Sequence, residues 1–354
     1  MRFDEGGAGA PPKNGPLTEI SFAPNPGNLR MFEYLPPRLG AGAPLVVILH
    51  GCGQTAAGYD LGTGWSRLAD QQGFALLAPE QKAANNPNTC FDWFNPEDIT
   101  RGQGEAASIA RMIQTMVETH RLDVSRIFIT GLSAGGAMAA VMLAGYPEMF
   151  CGGAIIGGLA FGAAQNVRDA LESMRSAPLR TPAQWGASVR AASEHKGPWP
   201  KISIWHGALD AVVNINNAQA SVAQWADLHR FALTDARQDM VDGAIHLRWD
   251  DKLEVYTLPV MGHGTPIDSR DVGQAGPFIL EAGISSTRRI AEFWGLATTA
   301  VAQPPAEPPG RPAAEPQVLL KIEAELLHHA QTGEEAQKES LVMRALKAIG
   351  LMRR

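Results

Sequence analysis

The chain has 354 residues, 45% of them hydrophobic, which is enough for one large α/β domain and an appendage. A net charge of −6 excludes the basic surface of a nucleic-acid binder, and no apolar run is long enough to span a bilayer. Three cysteines (Cys52, Cys90 and Cys151) are too few for a disulfide scaffold, and no Cys-x-x-Cys or His-x-x-x-His spacing points to a metal.

In chain order, Met1–Gly7 lacks the basic-then-apolar pattern of a signal region, so these residues predict a chain not addressed to the secretory route. Residues 17–23 and 29–35 flank a Pro-Asn-Pro-Gly turn and predict an antiparallel hairpin. Residues 44–49 (Pro-Leu-Val-Val-Ile-Leu) read as a buried strand running straight into His50-Gly51-Cys52-Gly53-Gln54. That loop has neither a Lys-Ser/Thr ending nor Gly-x-Gly-x-x-Gly spacing, which argues against a nucleotide site. It suits an oxyanion, with Cys52 N–H as the donor and Gly51 as the fallback. A helix starts over 64–69, a strand covers 74–78, a loop with Phe91, Trp93 and Phe94 covers 81–103, and a helix covers 104–120.

Arg126–Thr130 then reads as a strand and Ala137–Met142 as a helix, with Gly131-Leu132-Ser133-Ala134-Gly135 between them. Gly-x-Ser-x-Gly at a strand-to-helix turn is the context of a nucleophile elbow. A serine hydroxyl is a poor nucleophile alone and needs a base, an orienting acid and oxyanion donors. Ala134 N–H is the second predicted donor. A strand near 153–156 follows, with Cys151 at its start predicted as a buried core thiol. The insert 159–200, with Trp185 and Trp199, fits either a partial cap or a helix pair beside the sheet.

Lys201–Trp205 reads as a buried strand, and Asp210 lies in the loop after it, ahead of a helical run near Asn214. Residues 253–260 alternate like a strand and lead into Met261-Gly262-His263-Gly264. Of the nine histidines, His50, His206 and His246 lie in or beside strands and read as structural. His120 and His229 fall on helices, His195 precedes the acid, and His328 and His329 lie near the C-terminus. His263 alone has the right order and loop context. Ser133, Asp210 and His263 therefore follow the chain order of the α/β-hydrolase fold, each after its own strand. The predicted fold class is α/β: a mostly parallel central sheet with helices on both faces and a C-terminal helical tail. Trp65, Trp93 and Phe94 are the candidate substrate-binding aromatics. Neither metal nor cofactor is expected.

The catalytic domain is predicted over 15–296. Residues 297–316, with six prolines, read as an extended linker. Residues 317–354 place leucines, isoleucines and valine at helical spacing and end on Arg353-Arg354, an amphipathic tail suited to a polymer surface, a lipid surface or another copy of the chain.

These motifs together resemble the polyhydroxybutyrate depolymerase-like esterases. The resemblance rests on Leu49–Ala56, Gly62–Trp65, Pro79–Gln81, Asn88–Phe94, Gly131–Met138, Trp205–Asp210 and Gly262–Pro266, and covers roughly 15–296. It implies Ser133 as nucleophile, His263 as base, Asp210 as its orienter, and a Cys52–Cys90 disulfide bracing the oxyanion loop. It also implies an extracellular esterase of hydroxyacid polyesters or their oligomers, or of feruloyl and other short-acyl esters, against the cytoplasmic address read from Met1–Gly7. Where the family carries His-Ser-Gly-Leu-Pro-Tyr-Gly, this chain has Ile156-Gly157-Gly158-Leu159-Ala160-Phe161-Gly162, which bears on substrate identity. Competing readings are acyl transfer to an alcohol and a surface-binding protein on a hydrolase scaffold.

Overall fold

The computed structural model describes residues 15–297, so the expectations for the linker beyond Ala297 and for the tail lie outside the described residues. The predicted hairpin is β1 (Thr18–Ile20) with β2 (Arg30–Tyr34). β3 (Leu45–Leu49), α1 (Ala56–Thr63), α2 (Trp65–Gln72) and β4 (Ala75–Glu80) follow. The predicted 81–103 loop contains one short helix, α3 (Pro96–Ile99), with Pro96 at its start and Asn95 as its cap. Next come α4 (Gly104–His120), β5 (Ile127–Leu132), α5 (Ala134–Gly145) and β6 (Gly152–Ile156).

The insert is a helix pair, α6 (Val167–Arg175) and α7 (Pro182–Ala192). It leads to β7 (Lys201–Gly207) and α8 (Asn216–His229). The chain then runs through β8 (Arg237–Val241), β9 (Ala244–Trp249), β10 (Leu253–Leu258), β11 (Thr265–Ile267), β12 (Ile279–Glu281) and α9 (Ser286–Trp294).

Ten strands form one sheet in the order β1-β2-β4-β3-β5-β6-β7-β10-β9-β8. Its centre, from β4 to β10, is parallel, and an antiparallel hairpin closes each edge. β11 and β12 make a separate parallel pair. Alternation along each strand divides the core. Leu45, Val47 and Leu49 face one layer, with residues of α4, α5, α7 and α8. Val46 and Ile48 face the other, with residues of α1, α2 and α9.

All five β3 side chains are at most 1% exposed. Burying each contributes about 1.5–3 kcal/mol, which fixes the strand that carries the His50–Gln54 loop. α5 is buried along its whole length, and its Ala/Gly/Met sequence has no polar face to turn outward. Cys151 corrects its sequence reading. It is exposed, because it precedes β6 at the far end of the sheet, where its backbone pairs with Ile127 and Lys201 while its side chain points outward. No helix among the described residues is long and apolar enough to cross a membrane.

Candidate active site

The loops after β3, β5, β7 and β10 bring the site together, at the C-terminal edge of the parallel strands. Ser133 sits between β5 and α5 with φ 56° and ψ −117°, a conformation that non-glycine residues rarely adopt. Its N–H donates to Ile156 O at 2.9 Å, and its carbonyl accepts the first helical bond, from Ala137 N–H, at 2.9 Å. The turn depends on close backbone approach: a Cβ on Gly135 would lie 2.3 Å from Leu49 O, and one on Gly131 would lie 2.4 Å from Gly135 C.

Asp210 follows β7. Its Oδ1 accepts the N–H groups of Val212 at 2.9 Å and Val213 at 2.8 Å, and its Oδ2 accepts His263 Nδ1–H at 2.7 Å. Burial alone would raise this carboxyl, but hydrogen bonds and charge from His206 and His263 outweigh it and hold the group well below the usual carboxylate range. Gly207 allows the two loops to meet, since a Cβ there would lie 2.2 Å from Met261 O. The His263 side chain is 6% exposed, and Phe278 approaches it edge-on.

Ser133 is brought towards this pair through β6. It binds Ile156, and the next residue, Gly157, packs 3.3 Å from the His263 ring, measured from the Cβ it lacks. A hydrogen bond from Ser133 Oγ to His263 Nε2 is not among the hydrogen bonds of the described residues. Such links are commonly long in unliganded enzymes and shorten in the substrate complex.

The loop after β3 separates its two predicted donors. Gly51 N–H donates to Gln54 Oε1 at 2.9 Å, and Gly53 N–H to Asn88 O at 2.8 Å. Among the described residues Cys52 N–H has no such partner, so it, rather than Gly51, is available to an oxyanion. Ala134 N–H is similarly available, at the first position of α5 where no intrahelical acceptor exists. Cys52 and Cys90 form a disulfide that ties this loop to the 81–95 segment.

His50, read as structural, orients the loop. Its Nε2 accepts Gln81 N–H at 3.1 Å, which leaves Nδ1–H to donate to Gly51 O at 2.8 Å. Gly51 O and Cys52 N–H belong to one peptide plane and point opposite ways, so holding the carbonyl aims the N–H. Burial pushes the His50 ring down in pKa and keeps it neutral. Sequence reasoning missed this role, and a contact from His206 to Asp210 as well. The available signal was that both histidines stand in a His-Gly pair at the end of a buried strand.

Trp65 corrects the pocket expectation. It is 1% exposed, stacked on Trp294 and edge-on to Phe74, in the core layer opposite α5. Trp93 is buried with Phe94 half-buried edge-on beside it, three and four residues after Cys90, the residue that the disulfide joins to the oxyanion loop. A groove of about 890 Å³ runs between α3, the 161–165 segment and α7. Phe161 and Arg180 line it, but none of Ser133, Asp210 or His263 does. Carboxylate oxygens of Asp92, Asp98 and Glu105 lie within 4.8 Å of one another, a spacing that could hold a cation. Amide donors from Asn86, Asn95 and Gln81 already occupy them, and burial followed by the Asp92 charge raises the Glu105 carboxyl well above its usual range. This is the pattern of a structural network.

Residues 29–243 match the family described as esterase PHB depolymerase. The chain is 43% identical over 291 residues to poly(3-hydroxyalkanoate) depolymerase C of Paucimonas lemoignei, covering 79% of this chain and 70% of that protein. It is 32% identical over 288 residues to feruloyl esterase B of Thermothelomyces thermophilus, covering 79% and 93%. The acetyl xylan esterase from Aspergillus awamori superposes with a TM-score of 0.70 at 24% identity, over 80% of this chain and all of that one, and establishes the shared α/β-hydrolase fold. With a family match over more than half its length and a depolymerase relative 43% identical over 79% of the chain, the chain belongs to the esterase PHB depolymerase family and is a serine hydrolase of ester bonds.

Proposed function

We propose that Ser133, His263 and Asp210 form a catalytic triad that hydrolyses the esters of a poly(3-hydroxyalkanoate)-type polyester or its oligomers. The observation that carries the triad is the 2.7 Å bond from His263 Nδ1 to Asp210 Oδ2, in loops adjoining the strained Ser133 turn. Ser133 Oγ attacks the ester carbonyl as His263 Nε2 takes its proton. Asp210 holds the ring and stabilises the imidazolium, and Cys52 and Ala134 N–H receive the oxyanion. His263 then protonates the leaving alcohol, and water releases the acyl group by the reverse path. The chain needs no cofactor for this chemistry.

The 43% identity to a depolymerase favours the hydroxyacid polyester, and Trp93 and Phe94, shortly after the Cys90 that is bonded to the oxyanion loop, are the proposed substrate contacts. A feruloyl or other short-acyl ester is the second reading, favoured by the 32% identity to a feruloyl esterase. The catalytic unit is proposed as 15–296, with 297–316 as linker and 317–354 as surface-binding tail. An extracellular site of action is proposed because the Cys52–Cys90 disulfide persists only in an oxidising compartment.

Intact mass spectrometry after fluorophosphonate treatment tests the triad. One adduct is expected on the wild type and none on Ser133→Ala, with ester turnover lower by roughly 10³-fold or more in the variant. Near-normal turnover in Ser133→Ala would refute the assignment. Relative kcat/KM on hydroxybutyrate oligomers and feruloyl esters then decides between the substrates.

A further inference from the structure

Asp210 is held by three hydrogen-bond donors, Val212 N–H, Val213 N–H and His263 Nδ1–H, and a fourth group against it, His206, has no part in the chemistry above. We propose that His206 is a positioning residue whose Nε2–H ties the acid turn shut and shares the Asp210 carboxylate with His263. The ring is buried at the end of β7, four residues before Asp210. Its Nε2 lies 2.8 Å from Val213 O and 3.3 Å from Asp210 Oδ2. Both neighbours are acceptors, so the proton resides on Nε2, hydrogen-bonded to Val213 O with the Asp210 carboxylate as a close electrostatic contact.

The geometry has two consequences. The bond to Val213 O clamps the turn whose Val212 and Val213 N–H groups bind Oδ1, so the plane of the carboxylate is set from both sides. The contact at Oδ2 draws charge from the oxygen that His263 uses. Without it, the whole charge of Oδ2 falls on His263, which favours the imidazolium and raises the pH below which the base is lost.

The surroundings leave His206 and His263 as the titratable groups against Asp210. β6, on one side of β7, carries none. On β10, Glu254 binds Ser203 and His246, while Tyr256 stacks on Trp205. These lie on the opposite face of the sheet, because Ser203 and Trp205 alternate with His206 along β7. On α8, Asp227 pairs with Arg190, and His229 binds Pro200 O at the helix end.

This inference rests on His263 as the base. The test is the kcat and kcat/KM pH profile of wild type, His206→Leu, His206→Gln and His206→Asn on a small aryl ester, with melting temperatures alongside. Gln carries an N–H to the position of Nε2, and Asn falls short of it. The expectation for His206→Leu and His206→Asn is a kcat about tenfold lower and a KM within about twofold. Their acid limb should move up by about half a pH unit to one unit. His206→Gln should return the limb to the wild-type position. Should Leu not fold, the Gln and Asn pair decides. An acid limb unmoved in every folded variant, or moved equally in Gln and Asn, overturns the proposal. Fluorophosphonate labelling of the wild type separates the two levels: no adduct overturns the triad and this proposal together, whereas an adduct with an unmoved limb overturns only the role of His206.

Discussion

His229 shows how one side chain sets the response of stability to pH. Its Nε2–H donates to Pro200 O at 3.1 Å, and burial pushes the ring down to about 4 against the opposing effect of that bond. An unfolded histidine takes up a proton below roughly pH 6.5. Between there and about 4 the unfolded chain binds more protons than the fold, so stability falls as pH falls through that window. His50, neutral in the core, acts in the same direction. Asp210 begins to act only at the acid end of that window: its depressed carboxyl supports the fold above the usual carboxylate range, and that support is lost progressively as pH falls through and below it. The buried carboxyls of Asp60, raised to about 6, and of Glu105 act the opposite way in this window, so the test is a difference: from pH 6.5 to 4 the melting temperature of His229→Gln should fall less, or rise more, than that of the wild type. An identical slope in that variant would remove His229 from the account. The same locality explains which site residues were legible. Ser133, Asp210 and His263 each sit in a short motif after a strand, and that context is readable in the chain. The contact from His206 to Asp210 depends on a turn folding back on itself, which residue types alone do not report. Trp65 misled because an aromatic near a motif is neighbouring in sequence, whereas α2 carries it to the other face of the sheet.

At the level of elements, the decisive junction is between the start of α5 and the ends of β3 and β5. Helix and strand meet backbone to backbone there. Gly135 faces Leu49 O and His50 O at 2.3 and 2.5 Å from the Cβ it lacks, and Gly136 faces Gly131 O at 2.9 Å. None of these neighbours is a flexible side chain. Gly135→Ala must therefore push α5 away from β3, moving Ala134 N–H relative to Cys52 N–H. The expected outcome is loss of about 2 kcal/mol or more in stability and a fall in kcat of at least about tenfold, measured by denaturant unfolding and aryl-ester turnover. Wild-type values for both would mean that the junction can relax. The alternation of strands and helices around this junction was legible from apolar runs punctuated by glycine. The order of the strands was not, because pairing joins segments far apart in the chain: β10 lies beside β7, and the β8–β9 hairpin extends the edge beyond it. The short helix α3 was also missed, since four residues carry no periodicity.

Taken as a whole, the molecule places its chemistry along one edge of a parallel sheet. The loops after β3, β5, β7 and β10 supply the oxyanion donors, the serine, the acid and the base, and in the sheet order these strands are interrupted only by β6. Helices on both faces hold the strands in place, so the loops converge without being long. Each proposed catalytic group and each hydrogen-bond partner described for it falls between Gly51 and His263, inside the described residues. A chain ending at Ala297 thus keeps all of them. It loses a segment that, on sequence, combines a proline-rich spacer with apolar residues at helical spacing and terminal arginines. If that segment serves adsorption, the truncated protein should hydrolyse a soluble aryl ester within about twofold of the full chain while retention on polyhydroxybutyrate particles drops by about tenfold. Sedimentation with the particles and turnover in solution, measured on the same preparations, separate the two. Lost turnover with unchanged retention would assign the segment to the stability of the catalytic unit, because a tethered surface binder adds local concentration to an enzyme whose chemistry it never touches.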